Sequence, residues 1–323
     1  MRPPWPQQEK VSWQTPSIRE ALEMGISRLK ARGIASAAAD CSLLLAKAMG
    51  WDRYRVLAEP RCSVAPAAME LYRGFIARRE QFEPVQYILG EQEFMGLSFQ
   101  VSPAVLIPRP ETETLVEGVI EFLSRCEEAQ PLVAEPCTGS GCIAVSLAKF
   151  LPSCQVVASD VSQEALEVAK RNAQRHAVLD RVELLWGDML EPIVQRGLQR
   201  QVVVVVCNPP YVPEPHLSQL PEEVRLYEPE LALNGGPDGL RYYRTLASQA
   251  PQLLRPGGML AVEVDSEKAR DVVDILGAAG CFSRIEVRKD LAGLDRVVLA
   301  RTSRRKRRRR EEPGPCPWQP GNS

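Results

Sequence analysis

The sequence predicts an α/β protein, a doubly wound and mostly parallel sheet preceded by a small helical domain. Three observations predict it. Apolar residues recur at helical spacing from Ser17 to about Arg79. From Thr112 onward, short apolar runs alternate with amphipathic segments. Within that alternation stand five consecutive valines, Val202 to Val206, a run suited to a central strand buried on both faces.

Residues 1–16 read as a tail. In 17–83, a helical domain, Ser17 can cap the first helix and Ile18, Leu22, Ile26 and Leu29 form its apolar stripe; Gly33 and Gly50 stand where helices stop, and Pro60 and Pro66 punctuate the stretch after them. Residues 84–111 read as a linker with a β-hairpin, because Gly90, Gly96, Pro103, Pro108 and Pro110 interrupt short segments such as Leu97 to Val101. The domain at 112–302 opens with a helix over Thr112 to Leu123. Strands are expected at Leu132–Glu135, Val156–Asp160, Val182–Trp186 and Val202–Cys207, with helices at Ile143–Phe150 and Gln163–His176 between them. A helix over Leu240–Leu254, a turn at Pro256-Gly257-Gly258 and strands at Met259–Val264, Ser283–Val287 and Arg296–Arg301 complete it. Residues 303–323 form a basic tail expected to be disordered.

Composition narrows the function classes. Hydrophobic residues make up 45% and charged residues 25%, the balance of a soluble globular chain. No apolar stretch approaches the roughly 20 residues of a membrane span, and residues 1–6 carry no signal-peptide pattern, so a cytoplasmic location is expected. Nine cysteines without a Cys-x-x-Cys pair, and only His176 and His216, speak against a zinc site or disulfide framework; no metal is expected. The net charge of -1 conceals the seven positive charges of Arg304 to Arg310; with Glu311 and Glu312 also set aside, the body is near -6. An acidic body is unsuited to sequence-specific nucleic-acid binding, whose affinity rests on phosphate neutralisation.

The chemistry is expected at the carboxyl ends of the strands, where open α/β sheets bind ligands. The first of these strands ends at Glu135 and runs into Pro136-Cys137-Thr138-Gly139-Ser140-Gly141, a loop whose glycines let a ligand approach the backbone. The next delivers Asp160, 19 residues after Gly141, where a carboxylate can accept from both hydroxyls of a ribose. The third delivers Asp188 and Met189, an acid to bond the edge of an adenine and an apolar cover for its face. A nicotinamide enzyme shares the first two features, so the third and the segment after the fourth strand must decide.

That strand ends in Cys207 and continues as Asn208-Pro209-Pro210-Tyr211. Two prolines stiffen the backbone and remove two amide donors, leaving a rigid ledge of acceptors. A planar exocyclic or amide nitrogen is a poor nucleophile because its lone pair is delocalised. Asn208 through its side-chain oxygen and Pro209 through its carbonyl can hold the two N–H groups, while Tyr211 packs against the planar group. This is catalysis by positioning and electrostatics, and it points to methyl transfer from S-adenosylmethionine. Either an adenine amino group or a side-chain amide fits such a ledge.

The sequence closely resembles the HemK/PrmC family, the glutamine N5-methyltransferases of peptide chain release factors. The resemblance rests on Glu83-Pro84-Val85-Gln86-Tyr87-Ile88-Leu89-Gly90, on Glu93-Phe94, and on Val105 to Glu113, read Val-Leu-Ile-Pro-Arg-Pro-Glu-Thr-Glu. It rests also on Cys207 to Tyr211 and on Lys289 to Arg296, so that it covers most of 17–301. It implies a Rossmann-like S-adenosylmethionine-dependent domain, a helical domain that recognises substrate, and a Gly-Gly-Gln glutamine whose amide Asn208 and Pro209 grip. The cofactor would be held by Glu135, Thr138, Gly139, Gly141, Asp160, Asp188, Met189 and Asn208. Phe94, Pro108, Pro210 and Tyr211 would join Asn208 and Pro209 in contacting substrate. Arg109 and Glu111 are expected either at the substrate or in an interdomain ion pair. Two departures stand out: Glu135 and Cys137 replace the usual Asp and frequent Gly, and Asp265-Ser266-Glu267-Lys268 replaces a loop that usually begins with Gly and carries a Gln.

The alternatives are a nucleic-acid adenine N6-methyltransferase, methylation of a glutamine in another translation protein such as a ribosomal protein, and a cofactor-binding assembly protein without catalysis. The intact Asn208 ledge argues against the last. The Arg304–Arg310 run is expected to be a solvated tail making at most an electrostatic contact with RNA, a ribosome or an import receptor; unchanged methylation on its deletion would remove it from the mechanism.

Overall fold

A computed structural model describes residues 15–303. The basic run, like the first 14 residues, lies outside them. The chain forms two compact units: one runs to Glu91 and takes in Pro221–Tyr227, the other comprises Gln92–Leu220 and the chain from Glu228 on. No helix among the described residues is long and apolar enough to cross a membrane.

In the first unit, helix α1 (Ile18–Ala31) starts at a capping box: the Glu20 amide donates to the Ser17 hydroxyl, and the Ser17 amide donates back to the Glu20 carboxylate at 2.7 Å. Helix α2 (Ala37–Met49) ends at Gly50, which adopts the left-handed conformation that closes helices. Asp52 caps α3 (Arg53–Ala58), Pro66 occupies the first turn of α4 (Pro66–Arg79), and α5 spans Val85–Leu89. Ile18, Leu29, Leu44, Leu45, Tyr72 and Ile76 are buried together as its core.

The second unit begins one residue into a hairpin, β1 (Glu91–Phe94) and β2 (Leu97–Gln100), turning through Met95 and Gly96, both at positive φ. Helix α6 (Pro110–Ser124) follows. The alternating region then runs β3 (Leu132–Pro136), α7 (Cys142–Phe150), β4 (Gln155–Asp160), α8 (Gln163–Arg175), β5 (Val182–Trp186), α9 (Glu191–Gln195) and β6 (Val202–Cys207). After α10 (Glu222–Tyr227), which belongs to the first unit, come α11 (Arg241–Leu253), β7 (Leu254–Glu263), α12 (Ala269–Ala278), β8 (Phe282–Lys289) and β9 (Asp295–Thr302). Strands β3 to β9 form one sheet in the order β5-β4-β3-β6-β7-β9-β8. It is parallel except that β9 runs antiparallel to both neighbours. The valine strand β6 lies in the middle with every residue buried, its side chains divided between the two cores on either face. Strand order reverses between β3 and β6, which opens a crevice at their carboxyl ends.

Several expectations require correction. Pro110 opens α6 two residues before Thr112, because its fixed φ suits the first helical position. The 84–111 segment is not a uniform linker: α5 belongs to the first unit, and the hairpin from Gln92 on to the second. Pro256-Gly257-Gly258 is a bulge inside β7, since pairing jumps from Val202 opposite Leu254 to Val204 opposite Met259. Helix α10 joins the first unit through long-range bonds that no local pattern announces. Arg79, buried, donates to Asp40 and to Glu223, each at 2.8 Å, and the Tyr227 hydroxyl donates to the Gln81 carbonyl at 2.7 Å.

Candidate active site

The ends of β3, β4, β5 and β6 wall a cleft of about 130 Å³. The β3–α7 loop contributes Cys137, Thr138, Gly139 and Ser140. Gly139 is left-handed and open on its Cα side, whereas a Cβ at Gly141 would come within 3.0 Å of the Ala169 Cβ, so Gly141 is needed for close packing of α7 on α8. The loop is pinned from behind by Asn172 of α8. That fully buried amide donates to the carbonyls of Ser140 and Gln100 and accepts from the Gln100 amide.

Asp160, at the end of β4, accepts from the Gly139 and Ser162 amides, each at 2.9 Å, and still faces the cleft. Burial raises its pKa against the pull of these amides and that of Val161. Across the cleft, Asp188 is exposed and Met189 buried. Met189 takes a positive φ, its carbonyl accepts from Ser159, and its sulfur lies 3.5 Å from the Cys137 sulfur. Glu135 stands apart from the cleft wall at 1% exposure. Its carboxylate oxygens and the Thr138 hydroxyl have no hydrogen-bond partner among the described residues. Burial pushes the Glu135 carboxyl well above the usual carboxylate range; the Thr138 hydroxyl and Ala144 amide pull the other way but fall outside bonding geometry. An orphaned buried carboxyl is costly unless protonated or given a cation. A cationic group near Thr138, a diol at Asp160 and a planar base between Asp188 and Met189 therefore suit the donor set.

The opposite wall comes from the segment before α6, through Val105, Leu106, Pro108 and Arg109, and from Thr112 in its first turn. Arg109 pairs with buried Glu228, whose other oxygen accepts from the Ile107 amide at 3.2 Å; both partners belong to the second unit. For Arg109 the interdomain alternative is thereby corrected: its ion pair holds this wall to the chain that follows α10. Asn208 and Pro210 reach the cleft from β6. The Asn208 Nδ2 donates to the Thr112 hydroxyl at 3.2 Å, and that hydroxyl donates to Glu263 at 2.6 Å.

The chain closely matches known proteins. Residues 20–90 match the PrmC N-terminal domain and residues 120–220 the methyltransferase small domain. A release factor glutamine methyltransferase of Moorella thermoacetica is 45% identical over 284 residues, covering 88% of this chain and 98% of the relative. One from Geobacter sulfurreducens is 43% identical over 288 residues, covering 88% and 96%. The chain belongs to the release factor glutamine methyltransferase family. Among solved structures, the hMettl16 catalytic domain in complex with a 3′ UTR hairpin superposes at TM-score 0.53 and 15% identity, covering 72% of this chain and 83% of that one, a likeness of fold alone.

Among the expected site residues of this family member, Thr138, Gly139, Asp160, Asp188, Met189, Asn208, Pro108 and Pro210 line one cleft. Phe94 does not: at 1% exposure it packs edge-on against Phe99 in the core, because the hairpin turn sends it inward. Pro209 is buried beside the cleft, and the Tyr211 ring packs on the apolar core around α11 instead of lining the wall. Tyr242 lines the cleft without having been expected there. The Leu233-Asn234-Gly235-Gly236-Pro237-Asp238-Gly239 loop was also unexpected. It clamps the ledge: Val212 donates to the Leu233 carbonyl and Gly235 donates to that of Val212. Three glycines in five residues, Gly235, Gly236 and Gly239, were the available signal. The departing Asp265–Lys268 loop is a tight turn into α12, with Asp265 accepting from the Glu267 amide at 2.8 Å.

Proposed function

We propose that this chain transfers the methyl group of S-adenosylmethionine to the N5 amide nitrogen of the glutamine in the Gly-Gly-Gln motif of a peptide chain release factor. The observation that carries this reading is the Asn208 side chain, tied through its nitrogen to Thr112 so that its oxygen is left for the cleft, in a chain of this family. Bound S-adenosylmethionine supplies an electrophilic methyl group. Glu135 and Thr138 would attract its ammonium end, Gly139 and Gly141 admit its body, Asp160 accept from its ribose, and Asp188 and Met189 hold its adenine.

The Asn208 oxygen and the Pro209 carbonyl accept the two N–H groups of the substrate amide. Fixed in this way, the nitrogen presents its face to the methyl group, and the entropy of alignment is spent on binding rather than on the reaction. The two acceptors also stabilise positive charge as it develops on nitrogen. Methylation makes the N–H acidic, and a proton leaves to water without a dedicated base. Tyr211 supports the ledge from the core side; burial pushes its phenol up, so it stays neutral. A substrate of the translation apparatus is consistent with work in the cytoplasm and with an acidic body that reads no nucleic-acid sequence. Labelled S-adenosylmethionine, incubated with the protein and a release factor or its Gly-Gly-Ala version, tests the reading. Label is expected on the first only; equal labelling of both sinks the glutamine assignment.

A further inference from the structure

Asn208, Thr112 and Glu263 come from the end of β6, the first turn of α6 and the end of β7, yet they form one hydrogen-bonded row. Thr112 and Glu263 are 2% and 1% exposed. A hydroxyl has one hydrogen to donate. While that hydrogen is committed to an ionised Glu263, Thr112 can offer Asn208 only lone pairs. The Asn208 amide must then turn its NH2 toward Thr112 and its oxygen toward the cleft. We propose that Thr112 and Glu263 are positioning residues that lock Asn208 with its oxygen facing the substrate nitrogen. The inference rests on the function proposed above, in which the substrate nitrogen needs acceptors for its hydrogens. A flipped Asn208 would oppose N–H to N–H, losing one bond and adding repulsion.

The state of Glu263 sets the polarity of the row. Burial pushes its carboxyl up to about 7; the Thr112 hydrogen bond, Arg296 and Arg109 favour the charged form, and Glu111 opposes it. The phenols of Tyr211 and Tyr243 and the Cys142 thiol also face it, and the Tyr243 hydroxyl donates to its backbone carbonyl. Once protonated, Glu263 can donate to Thr112, whose hydrogen is then free to turn to Asn208 and accommodate the flipped amide.

Thr112→Val removes the hydroxyl at nearly constant shape, and Thr112→Ser keeps it. In the full-length protein, Thr112→Val is expected to lower kcat on a release factor roughly 10²-fold at about pH 8, with the S-adenosylmethionine Kd within about twofold. Thr112→Ser should recover most of the loss. The second readout needs no turnover: the Asn208 side-chain amide signal in ¹⁵N–¹H spectra, assigned by its loss in Asn208→Ala. It should titrate with a midpoint near 7 in the wild type and Thr112→Ser, and stay flat in Thr112→Val and Glu263→Gln. Full turnover in Thr112→Val, no recovery in Thr112→Ser, or an amide titration that persists in Thr112→Val overturns the lock. If the wild type fails to methylate glutamine, the function proposed above falls, and the amide titration still decides the lock.

Discussion

Gly239 offers the sharpest test of how the ledge is held. It sits at φ +77, and a Cβ there would lie 2.4 Å from the Tyr211 carbonyl oxygen and 3.2 Å from the Pro213 ring. Left-handed backbone costs alanine about 1 kcal/mol more than glycine. Overpacking adds about 1–3 kcal/mol, toward the upper end here because the obstacle is backbone and cannot swing aside. The total, about 2–4 kcal/mol, is a large share of a typical domain's stability of about 5–15 kcal/mol. At about 2–4 °C per kcal/mol for a unit of this size, Gly239→Ala should lower Tm by roughly 5–15 °C. Gly293→Ala is the control: φ is +80, but no atom of the described residues lies within 4 Å of its Cβ position, so only the backbone cost of about 1 kcal/mol applies. Thermal melts and methyl-transfer rates, measured below both transitions, should separate the two. Gly239→Ala is expected to lose roughly 10²-fold in kcat because Tyr211 and the acceptors before it must shift, while Gly293→Ala stays near wild type. Matching melts and matching rates for the two variants would refute the clamp.

Three further outcomes are expected. Asn208→Ala should bind S-adenosylmethionine nearly normally by calorimetry yet lose turnover; lost cofactor binding would show the residue to be misplaced in the mechanism. Glu135→Gln should leave the ligand-free Tm unchanged or higher, because it removes a buried orphaned carboxyl, while weakening cofactor binding about tenfold or more. A lower Tm with normal affinity would reverse that assignment. Glu263 is protonated in the folded chain, but not in the unfolded chain, between 4.5 and about 7. Its contribution to stability is therefore full below that window and falls by about 3 kcal/mol as pH rises through it. Urea unfolding between about pH 4 and pH 8 should show this decline in the wild type and its loss in Glu263→Gln; the same slope in both would exclude Glu263 as its source.

Local physics made much of the chain legible. Ser17 with Glu20, the valine run of β6, and the alternation from Leu132 to Cys207 each carry their signal within a few residues, because caps, strand burial and helix periodicity are short-range. The glycines after β3, Asp160, and the Asn208 ledge were readable for the same reason: each stands directly after a strand end, where an open sheet puts its ligands. Tertiary structure alone decided what stands across from them. Thr112 meets Asn208 across 96 positions of sequence and Glu263 across 151; Arg79 draws α10 into the helical unit, and Phe94 turns into the core instead of the cleft. Sequence spacing carries no record of such meetings, since they depend on strand order, helix packing and the burial of partners that only the folded chain brings within hydrogen-bonding distance.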